Sequence, residues 1–354
     1  MQPPFRSYRS LIRRIRAENR LLHRRLNSRQ LATVEAGALR EVDAAPTSGS
    51  KPLHVLETAQ GSRFVFKRGE LALLEAEVVA HRLRDLAKRP SVPAQIREVT
   101  LNGATLTGLL KPFVEYDPER ELPPDTAQWT DLQRHVMLME HAWEWFLDNL
   151  DTNCGQFALL GDSAFPVNID WDRSFAQQGE GALSRFAKYK GTLPSARTFL
   201  YADYVEGRID LRLGMLIEEA RVIRKLPKAE AARVLSRYAS VRFETLEARA
   251  RFVSGVLAKQ VHAEKAFRRF ARSLIAERKA FAKARRPANL SFNERLIIFR
   301  MGLWNRTQHA WHSISRGAPG RLGRSALKAV RRLRLGTGIG IQPSQPVGGH
   351  GDST

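Results

Sequence analysis

The sequence holds a single cysteine, Cys154, in 354 residues. No internal disulfide can form, and a structural zinc site of the usual cysteine-rich kind is excluded. Such usage is expected of a chain kept in a reducing cytoplasm. No run of about 20 apolar residues occurs, so no membrane-spanning helix is expected. The opening stretch, MQPPFRSYRSLIRRIRAENR, is positively charged with no apolar segment behind it, and no signal peptide is expected. No G-x-x-x-x-G-K-[ST] loop is present, which excludes P-loop nucleotide binding. Acidic residues are scarce in two segments. Residues 1–30 hold nine Arg against one Glu, and residues 251–334 hold 21 Lys plus Arg against Glu264, Glu277 and Glu294. The net charge of +22 therefore belongs to the ends, and the middle is nearly neutral. A neutral core with two basic arms is not a chain that is basic throughout, so the high pI alone does not imply a nucleic-acid binder.

The length suits a two-lobed fold with appendages. Residues 8–40 show Leu11, Ile12, Ile15, Leu21, Leu22 and Leu26 at roughly helical spacing among arginines, which predicts one helix. A small-residue loop, AAPTSGSK, precedes a strand pair, LHVLET and RFVFK, joined by the turn AQGS. Residues 70–88 predict a helix closed by Pro90 and Pro93. Strands around 94–101 and 104–110 meet at Asn102-Gly103, a hairpin signal. The polar connector DPERELPPDT marks a boundary between lobes. Beyond it come a Trp-rich helix over 127–147, the loop DNLDTNCG, the strand FALL, a turn, and the strand FPVNID. Residues 206–285 read as helical throughout, and 335–354 as a disordered Gly/Pro/Ser-rich tail. The expected class is α+β, with a β-rich N-lobe (41–120), a helical C-lobe (121–290), and basic helical extensions over 1–40 and 291–334.

Phosphoryl transfer needs few parts: a loop over the phosphates, a cation against them, a carboxylate to orient the attacking hydroxyl, and metal ligands. Ser48-Gly49-Ser50 is a small loop ahead of a strand, where backbone N–H groups can approach phosphate. Lys67 ends the strand RFVFK and can act as a point charge. Glu77, with Glu70 and Glu75 as rivals, lies on the next helix and can fix that ammonium. Asp151 with Gln156, or Asp148 with Asn153 at the same spacing, fits the loop between helix and strand. Asp170, with Asp172 as its rival, ends an apolar strand, where a carboxylate is costly unless a cation meets it. Each alone is ordinary: a turn, a strand-end lysine, a solvated glutamate, an Asx-rich loop. The order of all five along the chain is not.

SGSKPLHVLETAQGSRFVFK resembles the glycine-rich hairpin and lysine strand of the phosphatidylinositol 4-kinase type II and HipA-like kinases. EVVAHRL and VPAQI resemble their Glu-bearing helix and the strand after it, NLDTNCGQFALL their catalytic loop, and VNIDWDRSF their Ile-Asp metal strand. The resemblance covers roughly residues 44–176. It implies a two-lobed protein-kinase-like fold that binds ATP and Mg2+. It implies that Lys67 contacts the α- and β-phosphates and that Glu77 holds it. It implies that residues 109–116, with Lys111, Phe113 and Val114, form a hinge meeting adenine through backbone groups. Asp151 becomes the catalytic aspartate, and Gln156 and Asp170 the metal ligands. The chain departs from the pattern at Gln156, where the family has Asn, at Asn153, where many members have a basic residue, and at Lys51-Pro52 in the glycine loop.

The expected function is transfer of phosphate from ATP to a hydroxyl on a protein, lipid headgroup or small molecule. The alternative is a catalytically weak pseudokinase serving as a binding module. A cytoplasmic location is expected. The basic arms are expected to meet an anionic membrane surface or an acidic partner, with nucleic acid the less favoured choice.

Overall fold

The computed structural model describes residues 8–27, 31, 39–42, 53–114, 122–123, 125–149, 154–175 and 196–284. They belong to a compact unit spanning Met1–Asn289; a second unit, Leu290–Thr354, lies outside the described residues, and with it the expected basic extension and tail.

The chain begins with helix α1 (Tyr8–Asn27). Its apolar stripe of Leu11, Ile15, Leu22 and Leu26 packs with Leu132, Val136, Ala158, Phe165 and Val167. The helix expected to run to residue 40 ends by Asn27, and Leu39–Val42 is instead strand β1. Sheet pairing decides the matter: Leu39 and Arg40 face Thr58 and Glu57 across the ladder. The sheet therefore takes in Leu39 and Arg40.

Strands β2 (Leu53–Thr58) and β3 (Arg63–Lys67) form the expected hairpin, with Leu53 opposite Lys67. Helix α2 (Leu71–Leu86) follows, then strands β4 (Gln95–Leu101) and β5 (Ala104–Pro112). Asn102 and Gly103 both take positive φ, 51° and 81°, as a type I′ turn requires. The antiparallel sheet has five strands in the order β1-β2-β3-β5-β4, so β3 and β5 lie side by side at its centre. Phe64 and Phe66 point to one face, against Leu39, Val99 and Leu110. Period-2 alternation sends Val65 and Lys67 to the other. On that other face Leu109 packs against Leu74 and Val78 of α2. A Cβ at Gly108 would sit 2.5 Å from the Phe66 ring and 2.8 Å from the Lys67 carbonyl.

A one-turn 3-10 segment (Thr126–Gln128) leads into α3 (Asp131–Phe146), which opens with a reciprocal cap between Thr130 and Gln133. The hairpin of β6 (Phe157–Leu160) and β7 (Phe165–Asn168) follows, with Phe157 opposite Asn168. The helical half continues through α4 (Ala196–Val205), α5 (Gly214–Arg224), α6 (Lys228–Arg242) and α7 (Leu246–Ala284). Helix thus begins ten residues earlier than expected and is broken at Gly207, whose φ is 76°, and at Pro227. The described residues thus form an α+β arrangement, a five-stranded antiparallel sheet followed by a helical half. No helix among the described residues is long and apolar enough to cross a membrane.

Helix α2 is bound into the helical half by buried charge. Arg84 is fully buried and forms a bidentate pair with Glu140 of α3, at 2.8 and 2.7 Å. It also donates to the Pro90 carbonyl at 2.8 Å and stacks between the rings of Trp143 and Trp171, 5.3 and 5.0 Å away. Just beyond α2, Arg89 pairs bidentately with buried Glu219 of α5, which also accepts from Trp143 Nε1 at 2.7 Å. Arg237 of α6 meets buried Glu75 at 2.9 Å.

Two outcomes follow from this packing. Arg84→Met leaves Glu140 buried without its partner and should cost about 3–5 kcal/mol in urea denaturation, while adding Glu140→Leu should recover most of the loss. Gly108→Ala should cost about 1–3 kcal/mol, because the neighbouring ring and carbonyl are both fixed in the sheet.

Candidate active site

Lys67 stands at the end of β3, on the sheet face that looks toward α2 and the β6–β7 hairpin. Its Nζ lies 2.9 Å from Asp170 Oδ1, 3.0 Å from Asp172 Oδ2 and 3.4 Å from Glu77 Oε2. An ammonium from the β-rich half is thereby held by two carboxylates from the helical half and one from α2. Burial opposes the charge on Lys67, but the three carboxylates outweigh it, and its pKa is raised above the usual lysine value. The side chain is a fixed cation across the range in which a protein works.

The carboxylates differ in exposure. The side chains of Glu77 and Asp172 are 2% and 6% exposed, while that of Asp170 is 33% exposed. Asp170 is thus the member of the trio able to meet an incoming cation. A local turn orients it: the Asp170 N–H donates to Asn168 Oδ1 at 2.9 Å, and the Asp172 N–H donates to Asp170 Oδ1 at 3.3 Å. Both rivals for the metal position therefore share Lys67, and exposure separates them.

Gln156 ends a short 3-10 segment (Cys154–Gln156), and its carbonyl accepts from the Ile169 N–H at 2.9 Å. That bond brings Gln156 beside the residue preceding Asp170. The Asp170 carboxylate is a hard oxygen donor, the kind Mg2+ takes together with phosphate and water. Among the described residues no group of three His, Cys, Asp or Glu could form a metal cage by itself. The donor set fits a metal that arrives with phosphate.

Glu77 holds Lys67 and has a second partner that the sequence did not suggest. Lys111 Nζ bonds to Glu77 Oε1 and to the Ile169 carbonyl. Lys111 was expected to serve the hinge through its backbone; that backbone lies instead in the ladder opposite Val65, and its side chain enters the carboxylate cluster. The Phe113 N–H donates to the Arg63 carbonyl at 2.9 Å, so it too is engaged in the sheet. Val114 is half-buried at the edge of the α1 core. Glu70, a rival of Glu77, is the exposed N-cap residue of α2, and Glu75 faces Arg237.

Ser48, Gly49, Ser50 and Asp151 lie outside the described residues, as does Asn153. Their rival is placed. Asp148 is buried, takes a φ of 51°, and pairs with Lys259 of α7, whose Nζ lies 4.6 Å from the centre of the Trp145 ring. Asp148 is thus bound into the helical core. Its neighbour Asn149 is buried with both side-chain polar atoms unpaired among the described residues.

Sequence reasoning missed Arg84 and Trp171, and it gave Lys111 a hinge role where its side chain joins the carboxylate cluster. Lys111 carried a signal: in ATLTGLLKP, period 2 puts it on the face of Leu109, the face of Lys67. For Arg84 the only sign was an arginine among the apolar positions of α2. Asp148→Asn should cost stability, about 3 kcal/mol by breaking a buried pair from one side, and Lys259→Met should cost a similar amount without adding to it in the double variant.

No family model matches the sequence, and no curated protein matches it. Among solved structures the chain is similar to the proinflammatory kinase CtkA of Helicobacter pylori, with 11% identity over 67% of this chain and 99% of that one, at a TM-score of 0.43. It is similar to HipA of Shewanella oneidensis, solved with HipB and operator DNA, with 12% identity over 71% and 69% of the two chains, at a TM-score of 0.33. It is also similar to an aminoglycoside phosphotransferase of Alicyclobacillus acidocaldarius, with 12% identity over 73% and 97%, at a TM-score of 0.24. The likeness is to kinases and phosphotransferases, and at these values the functional reading rests on the geometry around Lys67.

Proposed function

We propose that this chain is an ATP- and Mg2+-dependent phosphotransferase of the atypical kinase kind, acting on a hydroxyl. One observation carries the reading: Lys67 of the β-rich half meets Glu77 of α2 together with Asp170 and Asp172 of the helical half. A buried ammonium among carboxylates is expensive to assemble for stability alone, since apolar residues of similar size would do as well. It is the arrangement that phosphate and a divalent cation need.

In this reading Lys67 binds the α- and β-phosphates and Glu77 keeps it aimed. Asp170 and Gln156 are the residues that would hold Mg2+, whose positive charge would offset that of the phosphates. Asp151 orients the acceptor hydroxyl and accepts its proton, and Ser48-Gly49-Ser50 covers the phosphates. The acceptor hydroxyl belongs to a protein, a lipid headgroup or a small molecule. The exposed arginines of α1, Arg9, Arg13, Arg16, Arg20 and Arg24, form a ridge suited to an anionic membrane surface.

A second reading has one observation in its favour. Glutamine at 156 is a methylene longer than the family's asparagine, and this suits a chain that binds nucleotide without turning it over. The two readings separate in one series of measurements. Wild-type protein should gain thermal stability with millimolar Mg-ATP and consume ATP. Asp170→Ala, folded by circular dichroism, should lose about 10²-fold or more of that consumption. Stabilisation without consumption favours the binding module. Undiminished consumption by Asp170→Ala removes Asp170 from the mechanism.

A further inference from the structure

We infer that Lys111 is a positioning residue: it ties Glu77 to the backbone that carries Asp170, so that Lys67 is left for the aspartates and for phosphate. The inference rests on the phosphotransfer reading above and assigns a part that the reading does not contain.

Glu77 divides its two oxygens between two lysines. Oε1 takes Lys111, and Oε2 lies 3.4 Å from Lys67. Lys67 is closer to Asp170 and Asp172, at 2.9 and 3.0 Å. Glu77 is thus the most distant of the carboxylates around Lys67, while Lys111 is pressed against it. The second bond of Lys111, to the Ile169 carbonyl, reaches the residue before Asp170. One ammonium therefore bridges α2 to the metal-side turn without passing through Lys67.

Charge explains why a second lysine is useful. Glu77 is buried, and a buried carboxylate with no cation is strongly unfavourable. If Lys67 were the sole partner of Glu77, any movement of Lys67 toward phosphate would strand that carboxylate. With Lys111 in place, Glu77 stays compensated while Lys67 turns to its other partners. Lys111 itself is nearly buried, its side chain 11% exposed, and its Nζ is committed to Glu77 and Ile169. It acts through those groups and not on the nucleotide. Removing it should draw Lys67 toward Glu77 and loosen the turn that aims Asp170. The metal should feel this more than the nucleotide.

The test compares wild type, Lys111→Met and Lys111→Arg as full chains. Thermal stabilisation is followed while Mg2+ is titrated at saturating ATP, and kcat and KM for ATP are measured alongside. The half-saturating Mg2+ concentration is a ratio that a uniform loss of stability does not move. Lys111→Met should raise it about tenfold, as expected for a residue that orients a metal ligand, with KM for ATP changing far less. Lys111→Arg, which keeps charge and donors, should return it toward wild type. An unchanged Mg2+ requirement in folded Lys111→Met overturns the inference while leaving the phosphotransfer reading intact. Absence of any Mg-ATP stabilisation in wild type overturns both. If Lys111→Met does not fold, Glu77→Gln/Lys111→Met is read against Glu77→Gln, since neither leaves a buried carboxylate unpaired. A raised requirement in the double variant supports the bridge to Ile169, and an equal one overturns it.

Discussion

The ammonium of Lys67 cannot be buried alone. In a low-dielectric interior an unpaired charge costs several kcal/mol, so the structure around it has to deliver carboxylates from two separate elements at once. Glu77 comes from a helix, Asp170 and Asp172 from the end of a short strand, and Lys67 itself from the middle of a sheet. No single local segment could bring these together. The order of strands, with β3 and β5 adjacent at the centre, puts both lysines on one face. The β6–β7 hairpin fixes the backbone just ahead of Asp170 through the Ile169–Gln156 bond.

Much of this was legible in the residues, for reasons that differ by element. Asn102-Gly103 and the AQGS turn are local chemistry, and their hairpins formed as the turn rules require. FALL and FPVN were readable because both are short apolar runs around a glycine turn. Lys67, Glu77 and Asp170 were readable as an ordered set, and they do meet. What was not legible is what depends on pairing at long range. Leu39–Val42 is four residues long and became a strand only because β2 offered an edge. Arg84 with Glu140, and Lys111 with Glu77, are contacts across 56 and 34 residues that leave no local pattern. Asp148 and Asp151 could not be separated by spacing. The structure gives Asp148 a partner, Lys259, which lies 111 residues away.

The clusters of apolar side chains follow the same division. One joins α2 to the helical half through Ala76, Val79, Ala80 and Leu83, packed with Trp143 and Phe146. Another fills the sheet's far face around Phe66. Lys67 on β3, Lys111 on β5 and the aspartates after β7 form a polar cluster apart from both.

The fastening of α2 has a consequence for the site. Arg84, Arg89 and Glu75 pin that helix and its C-terminal exit to α3, α5 and α6, the first two through buried ion pairs and the third through a pair with the half-exposed Arg237. A helix held at several points cannot swing outward to pull Glu77 away from Lys67 without exposing each pair in turn. The contacts that fasten α2 to the helical half therefore also set where Glu77 stands beside Lys67, and loosening any of those pairs would be felt at the ammonium.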